Sequence, residues 1–118
     1  MDDIYRLSML IDFYGQMLTD RQFEVLDLYY NNDYSLTEIA DKLSISRQGV
    51  YDNLKRGKNL LTQFEEKLEL VEKFDKNKNT ALNVLKYIDR FDLRKLNDKD
   101  KKNLELIKKG VNDIIEND

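Results

Sequence analysis

Residues 35–57 read SLTEIADKLSISRQGVYDNLKRG, and this stretch decides the fold. Ser35-Leu36-Thr37-Glu38 has the form of a capping box, with a serine placed to accept an N–H three residues on and a glutamate placed to reach back. It predicts a short helix over 36–42, with Ile39, Ala40 and Leu43 on the inner face. A break near Ser44 follows, and Ile45 fills the turn. A second helix starts near Ser46 and turns Val50 and Leu54 inward. Ala40 is the small residue needed where two helices cross closely, and Val50 is its expected partner on the second helix. Two helices at a steep angle, joined by a tight turn and with the second free to enter a groove, make a helix-turn-helix. The same apolar pattern also fits plain three-helix packing, so the outward residues must carry the functional reading.

With the second helix in a major groove, Ser46, Arg47, Gln48, Gly49, Tyr51, Asp52 and Lys55 face base edges. Arg47 is suited to fork onto guanine and Gln48 onto adenine. Asp52 is suited to accept from the amine of cytosine, or else to hold Arg47 or Lys55 in place. Arg56 and Lys58, together with Lys55 at the edge of that face, are placed for phosphate. Ser35 and Thr37, with the backbone that starts the first short helix, suit another phosphate. Plainer roles exist: Tyr51 packing along its helix, Asp52 as a solvated acid. The seven tyrosines and five phenylalanines read as core more than as stacking platforms. Glu65-Glu66 reads as surface charge.

Composition narrows the function classes. There is no cysteine and no histidine, which removes disulfides, zinc–thiolate sites and most nucleophile–base pairs. No metal site and no cofactor is expected, and the balance is against an enzyme. Residues 1–43 carry three basic and nine acidic groups, residues 44–60 four basic groups (Arg47, Lys55, Arg56, Lys58) against Asp52, and residues 61–118 thirteen of each. Any contact with nucleic acid therefore falls to that one basic segment. The acidic start Met1-Asp2-Asp3 is unlike a secretory signal, and no apolar run approaches the roughly 18 residues of a membrane span. A soluble cytoplasmic protein without membrane insertion is expected.

Outward from the central stretch the spacing is helical throughout, and proline is absent. A first helix over about 3–15 has Ile4, Leu7, Ile11, Tyr14 and Leu18 on one face, with Leu10, Phe13 and Met17 beside them. Thr19-x-x-Gln22 is a second capping box, opening a helix over 20–30 with Phe23, Leu26 and Tyr30 inward and a stop at Asn31-Asn32-Asp33. The helix begun near Ser46 shows no stop signal before about Lys76-Asn77. Its Leu54, Leu61, Phe64, Leu68 and Val71 form a coiled-coil-like seam with Gly57 in the missing step, marking either a close helix approach or a weak point. That seam is expected to make a homodimer contact or to dock the tail. Two amphipathic tail helices follow, one lined by Ala81, Val84, Leu85, Ile88 and Phe91, the other by Leu104, Ile107, Val111 and Ile114 and capped by Asn97 or Asp98. The expected organisation is a helix-turn-helix domain with its long helix over 1–76 and a helical extension over 77–118.

LTDRQFEVLDLYY (18–30) followed by SLTEIADKLSISRQGVYDNLKR (35–56) resembles region 4 of the sigma-70 class, which reads the promoter −35 element. The fuller match, from DFYGQMLTDRQ (12–22) to LLTQFEEKLELVEKF (60–74), is similar to the YlxM-type family of small helix-turn-helix proteins. The resemblance covers about residues 8–75. It implies an all-α fold: a sigma-70 region 4-like helix-turn-helix, of the winged-helix-type superfamily of DNA-binding helices, with a long fourth helix and two C-terminal amphipathic helices. Family genes tend to lie beside those of the signal recognition particle, so the resemblance implies two partner classes. One is duplex DNA, bound by a regulator. The other is the RNA or a protein of that particle. One departure is Gly49, where such helices usually carry alanine; it costs up to roughly 1 kcal/mol of helix stability, so the helix start is expected to order on binding.

Overall fold

The computed structural model describes residues 3–116; Met1 and Asp2, part of the acidic start, lie outside them. Six α-helices make up the fold, and no strand occurs among the described residues. The all-α class implied by the helical spacing is the class found. The chain divides into two compact units, Met1–Val71 and Glu72–Asp118.

In the first unit, α1 (Asp3–Tyr14) leads through a 3₁₀ turn into α2 (Asp20–Leu26). The capping box at α2 forms as expected: Thr19 Oγ1 accepts the Gln22 N–H and Gln22 Oε1 accepts the Thr19 N–H, both at 3.1 Å. α2 does not continue as a regular helix to residue 30. It widens into a π-helical turn over Asp27–Asn31, which side chains hold in place. Asn31 Nδ2 donates to Asp27 Oδ1 at 2.8 Å, Asn32 Nδ2 donates to the Asp27 carbonyl at 3.0 Å, and Ser8 Oγ on α1 donates to Asn31 Oδ1 at 2.6 Å. The stop falls where the polar residues put it, with Asp33 in the left-handed region at φ 58°.

α3 (Leu36–Leu43) and α4 (Arg47–Leu68) flank the tight turn. α4 packs on α1, α2 and α3, and the core between them holds Leu7, Leu10, Ile11, Tyr14, Val25, Leu26, Ile39, Val50 and Leu61. Ile4 and Met17, expected on the buried stripes, are exposed. Phe23, expected inward, lies over the turn at Gly15, where a Cβ would stand 2.9 Å from its ring; Val25 takes the inward place. Gly57 marks a close helix approach, since α4 runs through it unbroken and a Cβ there would meet Leu26 Cδ1 at 2.6 Å. α4 is helical from Arg47, across Gly49.

The long helix ends sooner than its pattern predicts. α4 spans 22 residues, about 33 Å at ~1.5 Å per residue. Glu69 then adopts the left-handed conformation at φ 55° and closes its N–H on the Glu65 carbonyl at 2.8 Å. α5 (Leu70–Ile88) starts at once. Its first N–H groups would be orphaned by so abrupt a start, and a buried polar node takes them. The Tyr14 hydroxyl donates to Glu65 Oε1 at 2.6 Å and accepts the Leu70 N–H at 3.0 Å, while the Val71 N–H donates to the same carboxyl oxygen at 3.0 Å. Glu65, read from sequence as surface charge, is only 7% exposed. Its burial is tolerated because these donors satisfy it. Burial, and then the hydrogen bond to Glu65, push the Tyr14 hydroxyl above the usual tyrosine range, so it stays a neutral donor.

The second unit contains the rest of α5, a 3₁₀ turn (Leu93–Lys95) and α6 (Asp98–Glu116). Asn97 is the cap of α6, its Oδ1 accepting the Asp100 N–H at 2.7 Å. Ala81 and Ile88 are buried, but Val84, Phe91, Ile107 and Ile114, expected to line inner faces, remain exposed. A two-helix unit covers only one narrow stripe per helix, so the broad apolar faces written in the sequence are only partly used.

Candidate nucleic-acid interface

The geometry of the turn follows from its residues. Ser35 Oγ accepts the Glu38 N–H and Glu38 Oε1 accepts the Ser35 N–H, both at 3.1 Å. α3 then ends on Ser44, left-handed at φ 57°, with the Ser44 and Ile45 N–H groups both directed at the Ala40 carbonyl. Ile39 and Ala40 are buried opposite Val50. Three residues thus reverse the chain, and α4 begins at Arg47 with its N-terminus and outer face in solvent.

The structure places the outward residues as follows. Ser46 is the N-cap of α4, its Oγ accepting the Gly49 N–H at 2.9 Å. Ser35 and Ser46 both accept cap hydrogen bonds, yet each hydroxyl keeps a proton to donate. Arg47, Gln48, Tyr51, Lys55, Arg56 and Lys58 are exposed, as is Thr37 at the start of α3. None of Arg47, Lys55, Arg56 and Lys58 forms an ion pair with a described residue. Asp52 holds neither Arg47 nor Lys55; Gln48 Nε2 donates to its Oδ1 at 3.0 Å. The two stand at i, i+4 on one face of α4. Their hydrogen bond pre-orients the Gln48 amide and leaves its carbonyl oxygen available. Asn53, not singled out from sequence, turns back to donate to the Gly49 carbonyl at 2.8 Å.

The seam residues go elsewhere. Leu54, Leu61 and Val71 lie in the core of the first unit, Phe64 is partly buried against it, and Leu68 is exposed at the end of α4. The Phe64 ring stands 5.9 Å from that of Tyr14. Sequence reading also missed a wall of tyrosines beside α4. Tyr29 and Tyr30 meet edge to face at 4.9 Å, and they share a groove with Tyr51, Lys55 and Lys58. Their adjacency in the sequence was a signal, but a regular α2 would have sent them to different faces.

Among the described residues no group of three or more acidic side chains is arranged to hold a metal ion, and no helix is long and apolar enough to cross a membrane.

Comparison with known proteins agrees with this architecture. Residues 1–108 match the family described as "Putative helix-turn-helix protein, YlxM / p13 like". A UPF0122 protein of Acetivibrio thermocellus is 54% identical over 116 residues, covering 98% of this chain and 99% of that one. One from Clostridium kluyveri is 42% identical over 117 residues, 99% of each chain. One from Thermoanaerobacter sp. is 50% identical over 88 residues, 75% of each. The match spans the helix-turn-helix, α5 and most of α6, and the chain belongs to the UPF0122 family of YlxM/p13-like helix-turn-helix proteins.

Proposed function

We propose that this protein is a cytoplasmic regulator that binds duplex DNA through the outer face of α4, and that it acts by binding and not by catalysis. The observation that carries the reading is the set of exposed cations Arg47, Lys55, Arg56 and Lys58, unpaired among the described residues, on the helix that follows a tight turn. Everywhere else the chain is acidic or balanced, so this face is where a polyanion is attracted. Arg47 and Gln48 in the first turn of α4 serve as base readers, with Ser46, Tyr51, Asp52 and Lys55 around them. Ser35, Thr37, Arg56 and Lys58 serve the phosphates. Two copies acting as a homodimer would read two half-sites. With Leu54, Leu61 and Val71 used in the core, the contact between copies would fall to the exposed apolar side chains of the tail, such as Leu82 and Ile107.

The test is equilibrium binding across a salt series. Arg47→Ala is expected to cost about 1–3 kcal/mol and to relax base preference. Lys58→Ala is expected to weaken all sequences alike and lower the salt slope by about 0.9. Unchanged affinity in both variants would remove this face from the account. A second reading, an accessory factor on the RNA or a protein of the signal recognition particle, uses the same basic face of residues 44–60, which would meet RNA backbone or an acidic protein surface. A major-groove helix does not read A-form RNA in the same way, so competition between duplex DNA and that RNA separates the two.

A further inference from the structure

Two open grooves on the first unit differ in sign. One, of about 520 Å³, runs past Gly15 and Phe23 and carries Asp20, Glu24 and Asp27 with only Lys42 against them. The other, of about 450 Å³, lies between the π-helical turn and α4; Tyr29, Tyr30, Tyr51, Leu54, Lys55 and Lys58 line it, and no carboxylate does among the described residues. Tyr51 is 50% exposed and Tyr29 38% exposed. The Tyr29 and Tyr30 rings are held at 83° to each other, so a planar guest meets one face and one edge. Lys55 and Lys58 are one helical turn apart on α4.

This is an unusual use of tyrosine. Exposed aromatic rings cost solubility, and the backbone that gathers these is a π-helical turn, a rare form that recurs at functional sites. The turn is tied by Asp27, Asn31, Asn32 and Ser8, so the pair of rings is set in position before any ligand arrives. Aromatic faces beside cations, without acids, are what unpaired nucleotides require: the base stacks on the ring and the flanking phosphates meet the lysines. The volume is in the range of small-ligand sites.

Resting on the nucleic-acid reading above, we propose that this groove receives one unpaired base of the bound strand, stacked against Tyr51 and the Tyr29–Tyr30 pair, with Lys55 and Lys58 on the neighbouring phosphates. The preferred target is then a duplex interrupted by a bulge, a mismatch or a strand end, with the extruded base beside the helix that reads the groove. DNA and RNA share this chemistry.

The experiment uses the full chain and hairpin duplexes, each in a DNA and an RNA form, with and without a single 2-aminopurine bulge. The protein has no tryptophan, so the probe is read without indole background. The bulged hairpin is expected to bind about tenfold tighter than the continuous one, as stacking of one base implies, with its fluorescence quenched on binding. Tyr51→Ala is expected to abolish both effects and Tyr51→Phe, which keeps the ring, to preserve them. Whichever backbone shows the quench is the source of the base. Equal affinity for bulged and continuous hairpins, with unquenched probe, would overturn the groove proposal and leave duplex binding standing. Absence of binding to every hairpin would overturn both.

Discussion

The inner face of α4 buries Val50, Leu54, Gly57, Leu61 and Glu65, whereas its outer face gives Arg47, Gln48, Tyr51, Lys55 and Lys58 to solvent. The two faces share one backbone and answer to different constraints. On the inner face each residue is fixed by a neighbour: Gly57 by Leu26 and Glu65 by Tyr14 and the start of α5. On the outer face Arg47, Lys55, Arg56 and Lys58 have no ion-pair partner among the described residues, so packing does not explain them. A substitution inside should therefore change stability, and one outside should change binding alone.

The largest effect is expected at the polar node. Glu65→Ala removes the acceptor for the Tyr14 hydroxyl and the Val71 N–H. Each buried donor left unsatisfied costs about 1–3 kcal/mol, so a loss of about 3 kcal/mol or more is expected in denaturant unfolding. A loss under about 0.5 kcal/mol, the range of ordinary surface changes, would mean that the node does not set the α4–α5 break. Next comes the close approach. Gly57→Val drives a branched side chain at Leu26, which is fully buried, and overpacking of this kind costs about 1–3 kcal/mol. If Gly57 were instead only a weak point in the helix, this replacement would raise stability, by roughly a few tenths of a kcal/mol. The smallest stability effect is expected outside. Arg47→Ala should leave the unfolding midpoint within about 0.5 kcal/mol of the parent while binding falls; a large stability loss would show that Arg47 belongs to the packing after all.

How far the sequence was readable follows the same division. Ser35-Glu38 and Thr19-Gln22 announce their helices because a capping box is local chemistry, complete within four residues. Ala40 and Val50 declare the helix crossing through their size. The break at Glu69 was not legible, because its cause is a tyrosine far away in the chain. A glutamate between Phe64 and Glu66 looks like any solvated acid until Tyr14 is known to meet it. For the same reason the seam was read through Leu68, while the buried positions on α4 run through Glu65. In the candidate site, the basic segment was visible as charge, but Asp52 was read as a holder of Arg47 or Lys55, and its partner is Gln48. The tyrosine groove was not visible, since it depends on a π-helical turn that is tied locally by Asp27 and Asn31 but anchored by Ser8 of α1, a tertiary contact. The tail erred in the opposite direction, its pattern promising more burial than two helices provide.

The measurement that bears most directly on the central claim is to crosslink the protein to its partners in cells, recover the bound nucleic acid, and sequence it as both DNA and RNA. Discrete DNA peaks that disappear in the Arg47→Ala variant are expected. Recovery of neither DNA nor RNA above background would contradict that claim and make the outer face of α4 a surface for protein.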